Sequence, residues 1–259
     1  MMISTSVLKQ NSKRIITNLI SITVWTIIWQ FASMTIGQEI LLVSPATVIS
    51  VLFKMMLTAE FWSIVFFSFT KIISGFIIAA ISASLLAIMA SKSTIVSSFL
   101  HPVIFVIKST PVASFIILAL LWIKSQNLSI FISFLMVFPV IYNNVLKGID
   151  NIDSKMVEMA RIFRITNKNK VLYIYLPQVM PYFISACSSG LGMCWKAGIA
   201  AEVIATPNGS IGDMLYKAKL FLNTPELFAW TLTVILLSLL FEKVFIYSLN
   251  KINTRLKSR

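Results

Sequence analysis

Acidic residues are scarce in this chain of 259 residues, with nine Asp and Glu against 22 Lys and Arg. Charged residues of both signs make up 12%, about half the share usual in a soluble domain. There is one histidine, His101, and there are two cysteines, Cys187 and Cys194. These shortages exclude much chemistry. One His and two Cys do not make a metal ligand set. No G-x-S-x-G elbow and no Ser/His/Asp set with a spare His is present. No G-x-x-x-x-G-K-[ST] phosphate loop occurs. The cysteines lie two helical turns apart, about 10 Å, beyond disulfide reach. They read as small packing residues, and His101, beside Pro102, reads as structural. The chain is expected to be non-catalytic, to need no cofactor and no metal, and to hydrolyse no nucleotide itself.

Apolar sequence is what the chain has in abundance, at 58%. Crossing a bilayer as a helix takes roughly 20 apolar residues. Six runs meet that need: Ile15 to Ile36, Phe61 to Ala90, Phe99 to Ile123, Leu128 to Leu146, Tyr182 to Ala205 and Leu227 to Leu249. None shows the alternation of barrel strands. The expected fold is therefore all-α, a polytopic bundle of six transmembrane helices, with residues 1–259 as one membrane domain. The first run is longer than a signal-peptide core and reads as an uncleaved span.

Net charge is +13, and its distribution carries the message. With the N-terminus inside, the inner segments hold Lys9, Lys13, Arg14, Lys92, Lys147, Lys155, Arg161, Arg164, Lys168, Lys170, Lys251, Arg255, Lys257 and Arg259. The outer loops hold only Lys54, Lys124, Lys217 and Lys219. The positive-inside rule then puts both termini in the cytoplasm. The basic surplus is a topology signal, with anionic lipid as a secondary partner and no nucleic acid implied. In the outer segment Gly37 to Glu60, Ser44-Pro45-Ala46-Thr47 marks a turn and a helix start. Thr47 to Leu57 would lie on the membrane or cap the bundle.

Five of the eight glycines fall between Gly190 and Gly212, making the fifth span dense in small residues. Such a span approaches its neighbours closely, or leaves room for a lumen. Ionisable residues inside spans are costly and face a bundle interior or a wet cavity. Lys71, Lys108, Lys196 and Glu202 are such residues. With Gly198 they are candidates for lining a translocation pathway that meets an anionic solute. The competing reading has the lysines snorkel or pair. Lys196 and Glu202, six residues apart, point in different directions on a helix.

The polar loop of residues 148–180 stands out between the fourth and fifth spans. Asp153 or Ser154 can cap a helix. Met156, Met159, Ala160 and Phe163 then recur at helical spacing, with Lys155, Glu158, Arg161 and Ile162 largely off that stripe. Thr166 to Lys170 breaks the pattern. Val171 to Ile174 reads as a second short helix, ended by Leu176-Pro177. An apolar stripe on a charged loop suits a membrane surface or a partner's groove, and Met suits adaptable grooves.

The loop resembles the EAA motif of ABC-importer permeases: E-x-A, three residues, glycine, nine residues, I-x-L-P. Here that is Glu158, Ala160, Arg164 at the glycine position, then Ile174, Leu176 and Pro177. Arg164 implies a different turn or a left-handed backbone. Other stretches resemble the nitrate/sulfonate/taurine branch: Ser68-Phe-Thr-Lys71-Ile-Ile-Ser-Gly75, Pro102 to Ala113 with Leu121-Trp122, Trp195-Lys196-Ala-Gly198 to Glu202, and Ile211-Gly212. The resemblance implies a multi-pass subunit of the bacterial inner membrane, with two copies forming a pathway. Two cytoplasmic ATPases would bind the EAA loops, and an extracytoplasmic binding protein would deliver substrate. It implies ATPase coupling by Met156 to Phe163, with Glu158 orienting. The implied solute is small and anionic, sulfonate-like; thiamine-precursor pyrimidines are the alternative within the family. A secondary transporter, the less favoured alternative, would need its own ion coupling or filter, and the sequence shows no internal repeat and no acidic cluster within the spans beyond Glu202 and Glu242.

Overall fold

The computed structural model describes the backbone of residues 3–257 and the side chains of residues 17 and 20–255. The side chains of Lys9, Lys13, Arg14, Lys257 and Arg259, counted above as inner charges, and the start of the first expected span lie outside the described residues. Among the described residues every regular element is helical. In chain order these are α1 (Ile3–Ile36), α2 (Pro45–Met56), α3 (Ala59–Lys92), α4 (Thr94–Ser109), α5 (Val112–Ala119), α6 (Ser125–Asp150), α7 (Ser154–Ile162) and α8 (Asn167–Lys170). A π-helical turn, Val171–Tyr175, leads into α9 (Leu176–Ala205), followed by α10 (Ile211–Leu220) and α11 (Thr224–Lys257).

Helices α3, α6, α9 and α11 are each long and apolar enough to cross a membrane. Helices α4 and α5 together make a fifth candidate, bent by 104°. The part of α1 whose side chains are described, Ile20–Ile36, is apolar but shorter.

The expected third span, Phe99 to Ile123, is therefore not one continuous helix. Pro111 explains the break. It offers no N–H, and its ring holds Thr110 in extended backbone at φ −87° and ψ 132°. The chain then restarts as α5, whose Ile116 and Ala119 bury against Leu128 and Ile132 of α6 and Ala197 and Ala201 of α9. Pro102 and Pro139 stay within helices.

A second expectation also changes. Val171 to Ile174 is not a separate helix closed by Pro177. Residues Asn167–Ala205 form one 39-residue helical run. The π turn makes this possible. Pro177 cannot donate to the Tyr173 carbonyl, as an α-helix would require. Widening the preceding turn, with Leu176 N–H donating to the Val171 carbonyl, moves the ladder past that gap.

The centre of the bundle is the contact of α6 with α3 on one side and α9 on the other. Small residues allow it. Helix α3 turns Ala79, Ala83 and Ala87 inward at four-residue spacing, all fully buried. A Cβ on Gly75 would collide with the Ile130 carbonyl oxygen and lie 2.9 Å from Ser133 Cβ. A Cβ on Gly198 would stand 2.7 Å from both Ile72 Cγ1 and Ser133 Oγ. At this point Ser133 Oγ donates to the Cys194 carbonyl at 3.4 Å, and Cys194 Sγ donates to the Ile72 carbonyl at 3.4 Å. Both cysteines are buried and free, as packing residues should be. Phe69 on α3 packs edge-on against Phe241 of α11 and tilts against Trp195 of α9. Helix α2, capped by Ser44, caps the bundle by packing on α11 and α3.

The glycine contacts set a test. Gly75→Val and Gly198→Val each force a branched side chain into occupied space, an overpacking cost of about 1–3 kcal/mol or more. Both variants are expected to unfold at lower temperature in detergent and to lose monodisperse yield. Gly192→Ala is the control, because a Cβ there meets nothing within 4 Å. Equal midpoints for all three would contradict close packing at this contact.

Candidate functional site

Helix α7 begins where Asp153 Oδ1 accepts the Lys155 N–H at 2.9 Å. The same residue is held from α9: Asp153 N–H donates to Gln178 Oε1 at 3.0 Å. Gln178 Nε2 in turn donates to Met156 Sδ at 3.3 Å. Ala160 is fully buried. Met156, Met159, Ile162 and Phe163 point outward, the last two at 78% and 73% exposure. Glu158 and Arg161 are exposed on the same short helix. The expected stripe thus divides: Ala160 is buried, and the methionines and Phe163 face away from the chain. Ile162, placed off the stripe by spacing, joins that outward apolar surface.

The helix ends in a Schellman arrangement. Ile165 N–H donates to the Ala160 carbonyl at 2.9 Å, and Arg164 N–H to the Arg161 carbonyl at 3.1 Å. Arg164 sits at φ +52°, the left-handed conformation that glycine occupies without steric cost. Of the two turns open to Arg164, the backbone adopts the left-handed one. Ile174 is buried in the π turn, and Leu176 and Pro177 open α9.

At the far end of α9 lies a buried polar clasp. Glu202 is 1% exposed. Its Oε2 accepts the Ser68 hydroxyl of α3 at 2.7 Å and the Gly212 N–H of α10 at 3.2 Å. Ser68 Oγ also accepts the Ile211 N–H at 2.9 Å. Two of the first free N–H groups of α10 are thus taken up, that of Gly212 by Glu202 and that of Ile211 by Ser68. Gly212 is required there, because a Cβ would collide with Glu202. A second acid within a span also finds a donor: Ser188 Oγ of α9 donates to Glu242 Oε1 of α11 at 2.6 Å.

The other residues singled out for a pathway occupy different environments. Lys71 is half-buried, donates to Asn127 Oδ1 at 2.9 Å and lies 5.6 Å from the centre of the Phe67 ring. Lys108 and Lys196 are exposed on the single chain. Gly198 is buried in the three-helix contact. Gln178 escaped sequence reading, since an isolated glutamine after a proline carries no pattern. Ser68 and Gly212 were visible only as parts of separate short stretches. Among the described residues no group of His, Cys, Asp and Glu could hold a metal.

The sequence has relatives. The family model described as binding-protein-dependent transport system inner membrane component matches residues 75–258. A probable ABC transporter permease protein of Brucella melitensis is 23% identical over 228 residues, covering 88% of this chain and 92% of the relative. A putative aliphatic sulfonates transport permease protein of Bacillus subtilis is 23% identical over 205 residues, covering 78% and 74%. The nitrate import permease protein of Synechococcus elongatus is 24% identical over 211 residues, covering 77% and 75%. The family match takes in the loop of α7, Gly198, Glu202 and Gly212, and the chain belongs to the binding-protein-dependent transport inner membrane components, the non-catalytic permease subunits of ABC importers.

Proposed function

We propose that this chain is the permease of an ATP-driven importer of a small anionic, sulfonate-, nitrate- or taurine-like solute. In this reading it forms one membrane domain with six spans and cytoplasmic termini in a bacterial inner membrane. Two copies make the pathway, two cytoplasmic ATPases bind at α7, and an extracytoplasmic binding protein supplies the solute. The observation that carries the reading is the outward apolar surface of Met156, Met159, Ile162 and Phe163 on a helix tied down from behind. Such a surface suits insertion into a groove of a partner, with Glu158 and Arg161 setting orientation.

The connection to the pathway is mechanical. Helix α7 is tied to Gln178 at the start of α9, and Glu202 lies near its end. Twenty-four helical residues span about 36 Å, so α9 is a lever across the membrane. A push on α7 would move the clasp that holds α3 and α10 together. Lys71, Lys108 and Lys196 are the cations assigned to the pathway, beside Gly198. An anionic solute is supported by the sulfonate and nitrate relatives and by those lysines.

Three outcomes follow. Met159→Asp and Phe163→Asp are expected to weaken retention of the ATPase more than about thirtyfold, the size of a lost interface anchor. Uptake should fall with it while permease levels hold. Undiminished ATPase retention in both variants would remove α7 as the docking element. Arg164→Gly should relieve about 1 kcal/mol of left-handed backbone strain. Amide exchange at Arg164 and Ile165 should then slow about fivefold, the factor that strain corresponds to; unchanged exchange would count against strain at this turn. For the solute, calorimetry on the cognate binding protein should detect an alkanesulfonate or nitrate-like anion. Affinity confined to a neutral or cationic pyrimidine would overturn the anionic assignment.

A further inference from the structure

At α8 the structure opens a groove of about 640 Å³ between the ends of α3 and α6 and the start of α9. Ile88 of α3, Val145 and Ile149 of α6, and Val179 and Phe183 of α9 form its apolar walls. Ser91, Lys92, Asn167 and Lys170, which end α3 and make up part of α8, form its polar end. Among the described residues no acidic side chain lines it. We propose that this groove binds one acidic phospholipid of the cytoplasmic leaflet, with its head at Lys92 and Lys170 and an acyl chain against the apolar walls. The proposal rests on the cytoplasmic placement of α7 argued above.

The two-part lining selects the occupant. A free inorganic anion would leave the apolar walls uncovered, and a neutral lipid would leave two lysines unpaired. An acidic amphiphile satisfies both ends. Basic pockets between membrane helices near the cytoplasmic face are suited to such head groups.

The position gives the lipid a function. Val171 and Tyr175, the first and last residues of the π turn, form part of the wall. That turn joins the loop of α7 to the α9 lever. A chain packed against it braces the joint through which ATPase motion would reach the membrane. Acidic lipid would thus set the efficiency of coupling and leave the assembly of the complex unchanged.

The test uses the whole complex with its ATPase, reconstituted in nanodiscs of phosphatidylcholine with or without phosphatidylglycerol. Native mass spectrometry should find one phosphatidylglycerol retained per chain, and solute-stimulated ATPase activity should rise with it. Lys92→Gln with Lys170→Gln should lower the preference for phosphatidylglycerol over phosphatidylcholine roughly thirtyfold, two lysine contacts' worth at a membrane surface. Val179→Trp, which fills the apolar part, should abolish retention of both lipids. Lys54→Gln with Lys124→Gln should change nothing. Undisturbed retention in the double-lysine and Val179 variants overturns the proposal. Displacement by an alkanesulfonate would assign the groove to the solute pathway instead. Lipid bound only after the ATPase is stripped would assign it to the ATPase. An ATPase that never copurifies would sink the importer reading but leave lipid selectivity measurable, so the two failures are distinct.

Discussion

The structure depends on how closely α3, α6 and α9 approach one another. Lipid tails are as apolar as leucine, so the hydrophobic effect gives membrane helices little reason to associate. Backbone proximity, dispersion and hydrogen bonds must do so. Gly75 and Gly198 remove the side chains that would keep the helices apart, and Ser133 fills the space between them. Ser133 and Cys194 then make hydrogen bonds to facing backbone, each carbonyl being reachable only at that distance. The alanine row of α3 extends the same close contact along the helix.

In the proposed reading that contact lets α9 act as a lever, and the two ends of α9 are held by different chemistry. At one end Gln178 holds α7 through exposed hydrogen bonds, which can yield and re-form in water. At the other end Glu202 is sealed from solvent and holds Ser68 and Gly212. A hydrogen bond in a medium of low dielectric is strong, and breaking it leaves a buried polar group unpartnered. The parts of α3, α9 and α10 that meet at Glu202 are therefore held to one another. The π turn at Val171–Tyr175 is the joint between the yielding end and the rigid shaft.

Much of this was legible in the chain itself. The apolar runs located the long helices, because a bilayer sets their length and forbids charge. The spacing from Glu158 to Pro177 located the loop and its helix, because a surface helix needs a cap and a period. The limits of such reading lie where two elements meet. Pro111 was visible as a proline, yet whether it would kink a span or end it depended on the pocket that α6 and α9 offer to Ile116 and Ala119. Pro177 looked like a stop and is instead carried within a helix, because the preceding turn widens. Ser68, Glu202 and Gly212 lie in three short stretches that each resembled the family separately, and only folding reveals them as one clasp.

By itself the sequence determined that the protein is helical, apolar and without catalytic machinery, and that one patterned loop stands apart. Those properties follow from composition and from periods of a few residues, which need no partner to be read. Tertiary structure decided which face of α7 is left open, which donors the intramembrane acids meet, and where the π turn leads into α9. Exposure and hydrogen bonding are relations between distant segments. Gln178 gained a role because Asp153 folded against it, and Glu202 became a clasp because Ser68 and the start of α10 arrived at the same point.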